Sequence, residues 1–114
     1  NCGGVLTLNW MDDPWKGASV ILAEDGNITE VIEKPPQGTV PSNWNSSGVF
    51  VFKSSIFDYL KGLEPSGRGE YELAEAINKM ALDNTAIRPY FYSGPWQDVG
   101  TAEDIALAEK ILAG

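Results

Sequence analysis

The run Val49-Phe50-Val51-Phe52 constrains the fold of this chain more than any other segment. All four residues are apolar and β-prone, and the run is too short to be a helix. It therefore predicts a strand that is buried on both faces of a covered sheet. We expect an α/β fold, with this strand near the centre of the sheet and helices packed over it.

Turn and helix signals predict the elements around this strand. Asp25-Gly26 joins two apolar runs, residues 18–23 and 28–32, and predicts a tight hairpin. Short strands are also expected at residues 5–8 and 87–92. An amphipathic helix is predicted over residues 70–83, where apolar side chains recur at helical spacing. Its early glutamates would face the positive end of the helix dipole.

Two further helices are predicted from capping boxes. Ser55 with Asp58 predicts a short helix that ends near Gly62, and Thr101 with Asp104 predicts the start of the last helix. The last helix has its apolar residues at helical spacing, which predicts one apolar face. These residues are Ile105, Ala108, Ile111 and Leu112.

Length and composition are those of one soluble globular domain. The chain has 114 residues, of which 43% are hydrophobic and 21% are charged. We therefore expect residues 1–114 to form a single domain with one modest core. No apolar run approaches the length of about 18 residues that spans a bilayer, and the first residues lack a secretory signal. The expected location is cytoplasmic, without membrane contact.

Histidine and cysteine usage excludes several kinds of site. The chain contains no histidine and one cysteine, Cys2, so a Ser-His-Asp triad and the usual zinc sites cannot form. Any metal ion must be held by oxygen atoms. The formal net charge of -8 also opposes binding to nucleic acid. A small ligand that is carried with a divalent cation remains compatible with this charge.

Three short segments carry charged candidate binding residues. Glu33 and Lys34 could bind sugar hydroxyls and a phosphate, although charged residues at a strand end are often simple surface residues. Asp98 could hold Mg²⁺ with substrate phosphates, or could bond its own backbone in a turn. Arg68, between two glycines, could bind a ligand or only mark a flexible loop.

Small residues accompany these charged ones. Ser47 and Gly48 lead into the apolar strand and could bond sugar hydroxyls, although such residues are also ordinary turn formers. Gly17 could permit the close approach of a ligand, or could only end a loop.

In order and spacing, these segments resemble the C-terminal, sugar-binding half of the sugar-1-phosphate nucleotidyltransferases. That family includes glucose-1-phosphate thymidylyltransferase and mannose-1-phosphate guanylyltransferase. The resemblance extends from about residue 17 to residue 112. It is carried by Gly17, Glu33-Lys34-Pro35, Ser47-Gly48-Val49-Phe50-Val51-Phe52, Ser66, Arg68-Gly69-Glu70 and Trp96-Gln97-Asp98-Val99-Gly100-Thr101.

The resemblance implies a partial Rossmann-like nucleotidyltransferase sheet with covering helices. It implies that Glu33 and Lys34 contact the sugar phosphate, and that Asp98 is the second ligand of Mg²⁺. Gly17, Ser47 and Gly48 would line the sugar pocket, with Arg68 also among the substrate-binding residues.

The family's Gly-rich nucleotide loop and its first metal ligand have no counterpart in residues 1–114. We therefore expect no catalytic residues, no transfer by the chain alone, and Mg²⁺ only where a nucleotide-binding half is supplied. The expected partners are a sugar-1-phosphate, further copies of the chain, or a complementing N-terminal half. The alternative is a non-catalytic truncated module for sugar-phosphate binding or oligomerisation.

Overall fold

A five-stranded sheet with helices on one face forms the core of the protein. The computed structural model describes residues 2–114. The strands are β1 (Gly4–Trp10), β2 (Ala18–Leu22), β3 (Ile28–Glu33), β4 (Trp44–Phe52) and β5 (Ile87–Phe91). The helices are α1 (Ile56–Lys61), α2 (Leu73–Leu82) and α3 (Ala102–Ala113), with a 3₁₀ turn at Pro14–Lys16. The predicted α/β class is confirmed.

The strands lie in the order β3-β2-β4-β1-β5, so β4 occupies the predicted central position. β2 and β3 pair antiparallel, which confirms the hairpin at Asp25-Gly26. Gly26 has a φ of 87°, a conformation that glycine adopts at little cost. Asp25 Oδ1 accepts a hydrogen bond of 2.9 Å from the Asn27 backbone and closes the turn. β1 is antiparallel to β4 and parallel to β5.

The core lies between the sheet and the helices α1 and α2. Leu6, Leu8 and Ile87 from the sheet are fully buried, as is Met80 from α2. The predicted amphipathic helix is thus confirmed, and Ile77 lies on its buried face. The helix begins at Leu73 rather than at residue 70, so Glu70 and Glu72 precede it and are free to form other contacts.

The prediction that residues 49–52 are buried on both faces is wrong. Val49 and Val51 on β4 are 61% and 68% exposed, and Tyr90 on β5 is 61% exposed. Phe50 and Phe52 alternate with the two valines and pack against the core. Because α1 and α2 contribute to the core on that one side, the opposite face of the sheet has no covering helix within residues 2–114.

The apolar face predicted for α3 is present, and it is left uncovered within residues 2–114. The helix has the predicted capping box between Thr101 and Asp104, but none of its residues is buried. Ile105 and Leu112 are 52% and 86% exposed. The apolar residues of α3 therefore recur at the predicted spacing, but no surface within residues 2–114 covers them.

The capping box predicted at Ser55 is absent. Ser55 has helical backbone angles (φ -57°, ψ -21°), and its side chain makes no capping bond. A capping serine needs an extended backbone to direct its hydroxyl back at the helix. Here the Asp58 backbone N–H donates to the Ser55 carbonyl instead, as part of a turn. The helix ends at Lys61 with Gly62 as its C-cap, which confirms the predicted end near Gly62.

The outer edge of β3 is capped by the side chain of Asn78 on α2. Asn78 Oδ1 accepts a 2.7 Å hydrogen bond from the Val31 N–H, and Asn78 Nδ2 donates a 2.9 Å bond to the Val31 carbonyl. An amide thus takes the place of a neighbouring strand. Since open strand edges pair with other chains, this contact protects the edge against such pairing.

Replacing Asn78 by alanine should lower the free energy of unfolding by about 2 kcal/mol, because two backbone groups of Val31 lose their partners. The open edge should also increase aggregation on heating. Urea denaturation and light scattering measure the two effects, with Lys79→Ala on the same helix as the control. An Asn78→Ala variant as stable as Lys79→Ala would contradict this role.

Candidate functional site

An open cleft of about 1170 Å³ lies at the end of the sheet where β3 stops. All seven residues selected from the sequence line it, although they come from separate parts of the chain. They are Gly17, Glu33, Lys34, Ser47, Gly48, Arg68 and Asp98. The structure therefore brings these residues together, while their contacts with a ligand stay a prediction.

Two buried asparagines support the wall of the cleft beside Gly17. Asn45 Oδ1 accepts a 2.8 Å hydrogen bond from the Ala18 N–H, and Asn45 Nδ2 donates a 3.0 Å bond to Asn9 Oδ1. A Cβ atom at Gly17 would collide with Asn45 Oδ1. Gly17 is thus required by the close packing of Asn45, whether or not a ligand also approaches it.

Glu33 and Lys34 reach one cleft because the strand ends between them. Adjacent residues on a strand point to opposite faces. β3 ends at Glu33, and Lys34 has a φ of 44°, in the left-handed region that non-glycine residues seldom adopt. The Lys34 N–H donates a 2.7 Å hydrogen bond to the Gly17 carbonyl. This turn places both side chains in the lining of the cleft.

The surroundings raise the pKa of the Glu33 carboxyl. Desolvation by the cleft walls is the largest cause, and the negative charges of Glu72 and Asp98 act in the same direction. The positive charges of Arg68 and Lys34 oppose the shift. The charged form of Glu33 is therefore disfavoured in the folded state.

Replacing Glu33 by glutamine should make the protein slightly more stable at neutral pH. The folded-state pKa is raised, so the carboxylate destabilises the fold above that pKa and has no such effect when protonated at about pH 3. The stability difference between the variant and the original protein should therefore grow as the pH rises from about 4 to 7. Thermal melts across this range measure it. A difference that stays constant across this pH range would contradict the result.

Arg68 is held by carboxylates of its own loop. Its Nη2 atom lies 2.5 Å from Glu72 Oε1 and 3.3 Å from Glu70 Oε2. Glu72 raises the pKa of Arg68, and Arg68 lowers the pKa of Glu72, each chiefly through their hydrogen bond. Sequence reasoning missed Glu72 because it assigned the residue to a helix. The sequence signal for this ion pair was the spacing of four residues between Arg68, which lies between two glycines, and Glu72.

The polar entrance to β4 is tied to the segment that carries Asp98. The Trp96 indole Nε1–H donates a 3.2 Å hydrogen bond to the Ser47 carbonyl, and the Ser47 hydroxyl donates a 2.9 Å bond to the Thr7 carbonyl. Gly48 has a φ of 94°, which favours glycine there. Trp96 is half-buried and acts as the anchor that places Asp98 at the cleft.

Asp98 is exposed, and within residues 2–114 its carboxylate has no hydrogen-bond or ion-pair partner. The cap of α3 is formed by Thr101 and Asp104 and does not use it. No cluster of three or more acidic or cysteine side chains suited to a metal is found among the described residues. A single free carboxylate nevertheless fits Mg²⁺, which takes most of its ligands from water and substrate phosphates.

Aromatic side chains that sequence reasoning did not select form one border of the cleft. The Trp10 and Trp44 rings meet edge to face with centroids 5.2 Å apart, and Trp44 lies 4.7 Å from Phe91. Trp10 and Trp44 line the cleft. The available signal was an aromatic residue at the end of each of three adjacent strands.

A family model for nucleotidyl transferases matches residues 10–113 of this chain. The match runs from the end of β1 to the last helix and includes all seven candidate residues that line the cleft. This chain belongs to the nucleotidyl transferase family.

Two relatives of this nucleotidyl transferase chain come from one organism, and the name of one of them refers to glycan biosynthesis. The chain is 34% identical to the low-salt glycan biosynthesis nucleotidyltransferase Agl11 of Haloferax volcanii, over 96% of this chain and 30% of that protein. It is 40% identical to the UTP–glucose-1-phosphate uridylyltransferase AglF of the same organism, over 95% of this chain and 43% of that protein.

A crystal structure shows the same architecture. The protein from Bacillus anthracis, described as a glucose-1-phosphate thymidylyltransferase and crystallised with sucrose, superposes with a TM-score of 0.78. The identity is 29%, and the match covers 97% of this chain and 44% of that chain. The nucleotidyl transferase chain thus spans less than half the length of these relatives.

The charge of the cleft in this nucleotidyl transferase domain is negative. Three cationic side chains line it, Lys16, Lys34 and Arg68. Seven carboxylates do so as well: Asp12, Asp13, Glu33, Glu70, Glu72, Asp98 and Asp104. Lys16 is also paired with Asp13 at 2.9 Å. An anionic ligand would therefore gain from an accompanying divalent cation.

Within residues 2–114, none of the helices is both long and apolar enough to cross a bilayer.

Proposed function

We propose that this chain forms the sugar-phosphate-binding half of a sugar-1-phosphate nucleotidyltransferase that makes nucleotide sugars. The observation that carries the proposal is the meeting of seven separately selected residues at one cleft. The family membership supports the reaction class, and the assignment to the C-terminal, sugar-binding half rests on the motifs around Glu33 and Asp98.

In this proposal, Lys34 pairs with the phosphate of the sugar-1-phosphate. Lys34 is exposed at the cleft, and its backbone is fixed by the bond to the Gly17 carbonyl, so the ammonium group extends from a defined point. Arg68 provides the second positive charge on the same cleft. Glu33 accepts hydrogen bonds from sugar hydroxyls, which are good donors to a partly desolvated carboxylate.

Asp98 is the residue that would hold Mg²⁺ at this cleft. The ion, when bound with the substrate phosphates, supplies charge neutralisation. The Asp98 carboxylate is exposed and unpaired within the described chain, so it is available as a ligand without breaking another contact. The indole of Trp96, bonded to β4, keeps this carboxylate on the same side as Lys34 and Glu33.

The proposed reaction joins a sugar phosphate to a nucleotide. A phosphate oxygen of the sugar-1-phosphate attacks the α-phosphorus of a nucleoside triphosphate, and pyrophosphate leaves. The chain's residues hold the attacking phosphate in position, which is the main requirement of phosphoryl chemistry. The nucleotide must be bound by another part of the enzyme, so this chain alone is expected not to catalyse transfer.

Replacing Lys34 by alanine should weaken the binding of glucose-1-phosphate with Mg²⁺ at least ~10-fold, since a charge-assisted contact to phosphate is lost. Isothermal titration of the purified chain measures this effect. Lys110→Ala on α3 removes an exposed lysine that does not line the cleft, and should bind as the original chain does. Equal affinities of the two variants would remove Lys34 from the site.

The exposed apolar face of the sheet supports a proposal about partners. Val49, Val51 and Tyr90 form this face, and α3 adds uncovered apolar residues. We propose that a nucleotide-binding half covers these surfaces, in keeping with relatives more than twice as long. The alternative is a non-catalytic module in which a second copy covers them. The mass of the isolated chain in solution distinguishes a monomer from such an oligomer.

A further inference from the structure

The contacts of Arg68 leave part of its guanidinium group available. Both carboxylates that hold it bond the same nitrogen, Nη2: Glu72 at 2.5 Å and Glu70 at 3.3 Å. Within residues 2–114, Nε and Nη1 of Arg68 have no hydrogen-bond partner. A planar guanidinium that is hydrogen-bonded through one nitrogen can still present its other two donor nitrogens to an anion.

Glu72 is better placed than Glu70 to fix the position of Arg68. The Glu72 side chain is 18% exposed, whereas the Glu70 side chain is 64% exposed. Glu72 directly precedes α2, so its backbone is held by the start of that helix. Its carboxylate is therefore a fixed point, and the longer Glu70 contact is an exposed pair of small value.

The backbone of the loop is also fixed in a way that serves this contact. The Ser66 hydroxyl accepts a 3.2 Å hydrogen bond from the Arg68 N–H, and the Ser66 N–H donates a 2.7 Å bond to the Glu70 carbonyl. Gly69 has a φ of 76°, which turns the chain back sharply after Arg68. The loop and the helix start together give Arg68 one arrangement at the cleft.

We propose that Glu72 is a positioning residue for ligand binding. Its carboxylate accepts a hydrogen bond from Nη2 of Arg68, and this bond directs Nε and Nη1 of Arg68 to the phosphate of the ligand. This inference rests on the proposed function. Glu72 lines the cleft, and in this proposal it acts on the ligand only through Arg68. Its negative charge partly offsets that of Arg68, so removing the charge without removing the hydrogen-bond acceptor should not weaken phosphate binding.

Three substitutions of Glu72 separate orientation from charge. Glu72→Ala removes both the acceptor and the charge, Glu72→Gln keeps an acceptor of the same length, and Glu72→Asp keeps the charge but shortens the side chain. By titration of glucose-1-phosphate with Mg²⁺, Glu72→Ala and Glu72→Asp should bind about 10-fold more weakly. Glu72→Gln should bind at least as tightly as the original chain. Equal affinity of Glu72→Ala and the original chain would overturn the inference, as would loss of binding in Glu72→Gln.

A double variant excludes a merely structural role. If Glu72 acts through Arg68, then Glu72→Ala should have no further effect in a chain that already carries Arg68→Ala. The same 10-fold loss in both backgrounds would contradict the proposal. Should Glu72→Ala fail to fold, Glu72→Asp replaces it in this comparison of single and double variants.

A second readout does not depend on the ligand. In ¹⁵N NMR spectra, the Arg68 Nε–H signal should be sharp and distinct in the original chain and in Glu72→Gln, and should move to the position of free arginine in Glu72→Ala. An unchanged signal in Glu72→Ala would overturn the inference by itself. If the original chain does not bind a sugar phosphate but the NMR change is present, the proposed function is contradicted. The contact by which Glu72 positions Arg68 would still be established.

Discussion

Replacing Asn45 by alanine is expected to lower the free energy of unfolding by about 3 kcal/mol. Asn45 is 1% exposed, and its amide bonds both the Ala18 N–H and Asn9 Oδ1. Alanine would leave both of these buried groups without a partner in this structure. It would also open a space beside Gly17, which packs directly against the amide.

Urea denaturation measures this loss of stability. The matched control is Asn43→Ala, which removes a single half-buried bond of 2.9 Å to the Met11 carbonyl and should cost about 1 kcal/mol. Asn45→Asp offers a second comparison, because it keeps an acceptor for Ala18 and loses the donor to Asn9. If Asn45→Ala unfolds at the same urea concentration as Asn43→Ala, the asparagine pair does not support the cleft as described.

Replacing Asp98 by asparagine is expected to remove the Mg²⁺-dependent part of sugar-phosphate binding, a loss of at least ~10-fold in affinity, with the fold unchanged. The amide has the shape of the carboxylate but not its charge. The Asp98 carboxylate makes no hydrogen bond or ion pair within residues 2–114 that the fold would lose, so the melting temperature should not fall.

The control for Asp98→Asn is Asp58→Asn, which changes an exposed carboxylate on α1 away from the cleft. Titrations of glucose-1-phosphate with and without Mg²⁺ give the metal-dependent part for each protein. This part should persist in Asp58→Asn and vanish in Asp98→Asn. Metal-dependent binding that survives in Asp98→Asn would exclude Asp98 as the ligand.

Local signals in the sequence predicted most elements, because those signals act over a few residues. The turn at Asp25-Gly26 and the capping box at Thr101 depend on neighbouring side chains and backbone, and both are present. The prediction of a capping box at Ser55 was wrong because the backbone of Ser55 is already helical. The residue types at these positions do not reveal that backbone conformation. Burial was predicted less well, since it depends on which other parts of a molecule cover a face, as the exposed Val49 and Val51 illustrate.

Residues of the candidate site could be predicted from the sequence only where their own chemistry, within a short motif, indicated binding. Glu33, Lys34 and Asp98 have chemistry that is visible in a motif, and they do line one cleft. Asn45 and Glu72 were not selected, because their importance comes from partners elsewhere in the fold or from a loop conformation. Asn78 is a clearer case, since its partner Val31 lies 47 residues away.

The most direct test of the proposed function is isothermal titration of the purified chain with Mg²⁺ and, separately, glucose-1-phosphate, mannose-1-phosphate and a nucleoside triphosphate. Binding of a sugar phosphate without binding of the nucleoside triphosphate is the predicted result, since the cleft holds the residues proposed for the sugar phosphate alone. Binding of the nucleoside triphosphate without any sugar phosphate would contradict the assignment of this chain to the sugar-binding half.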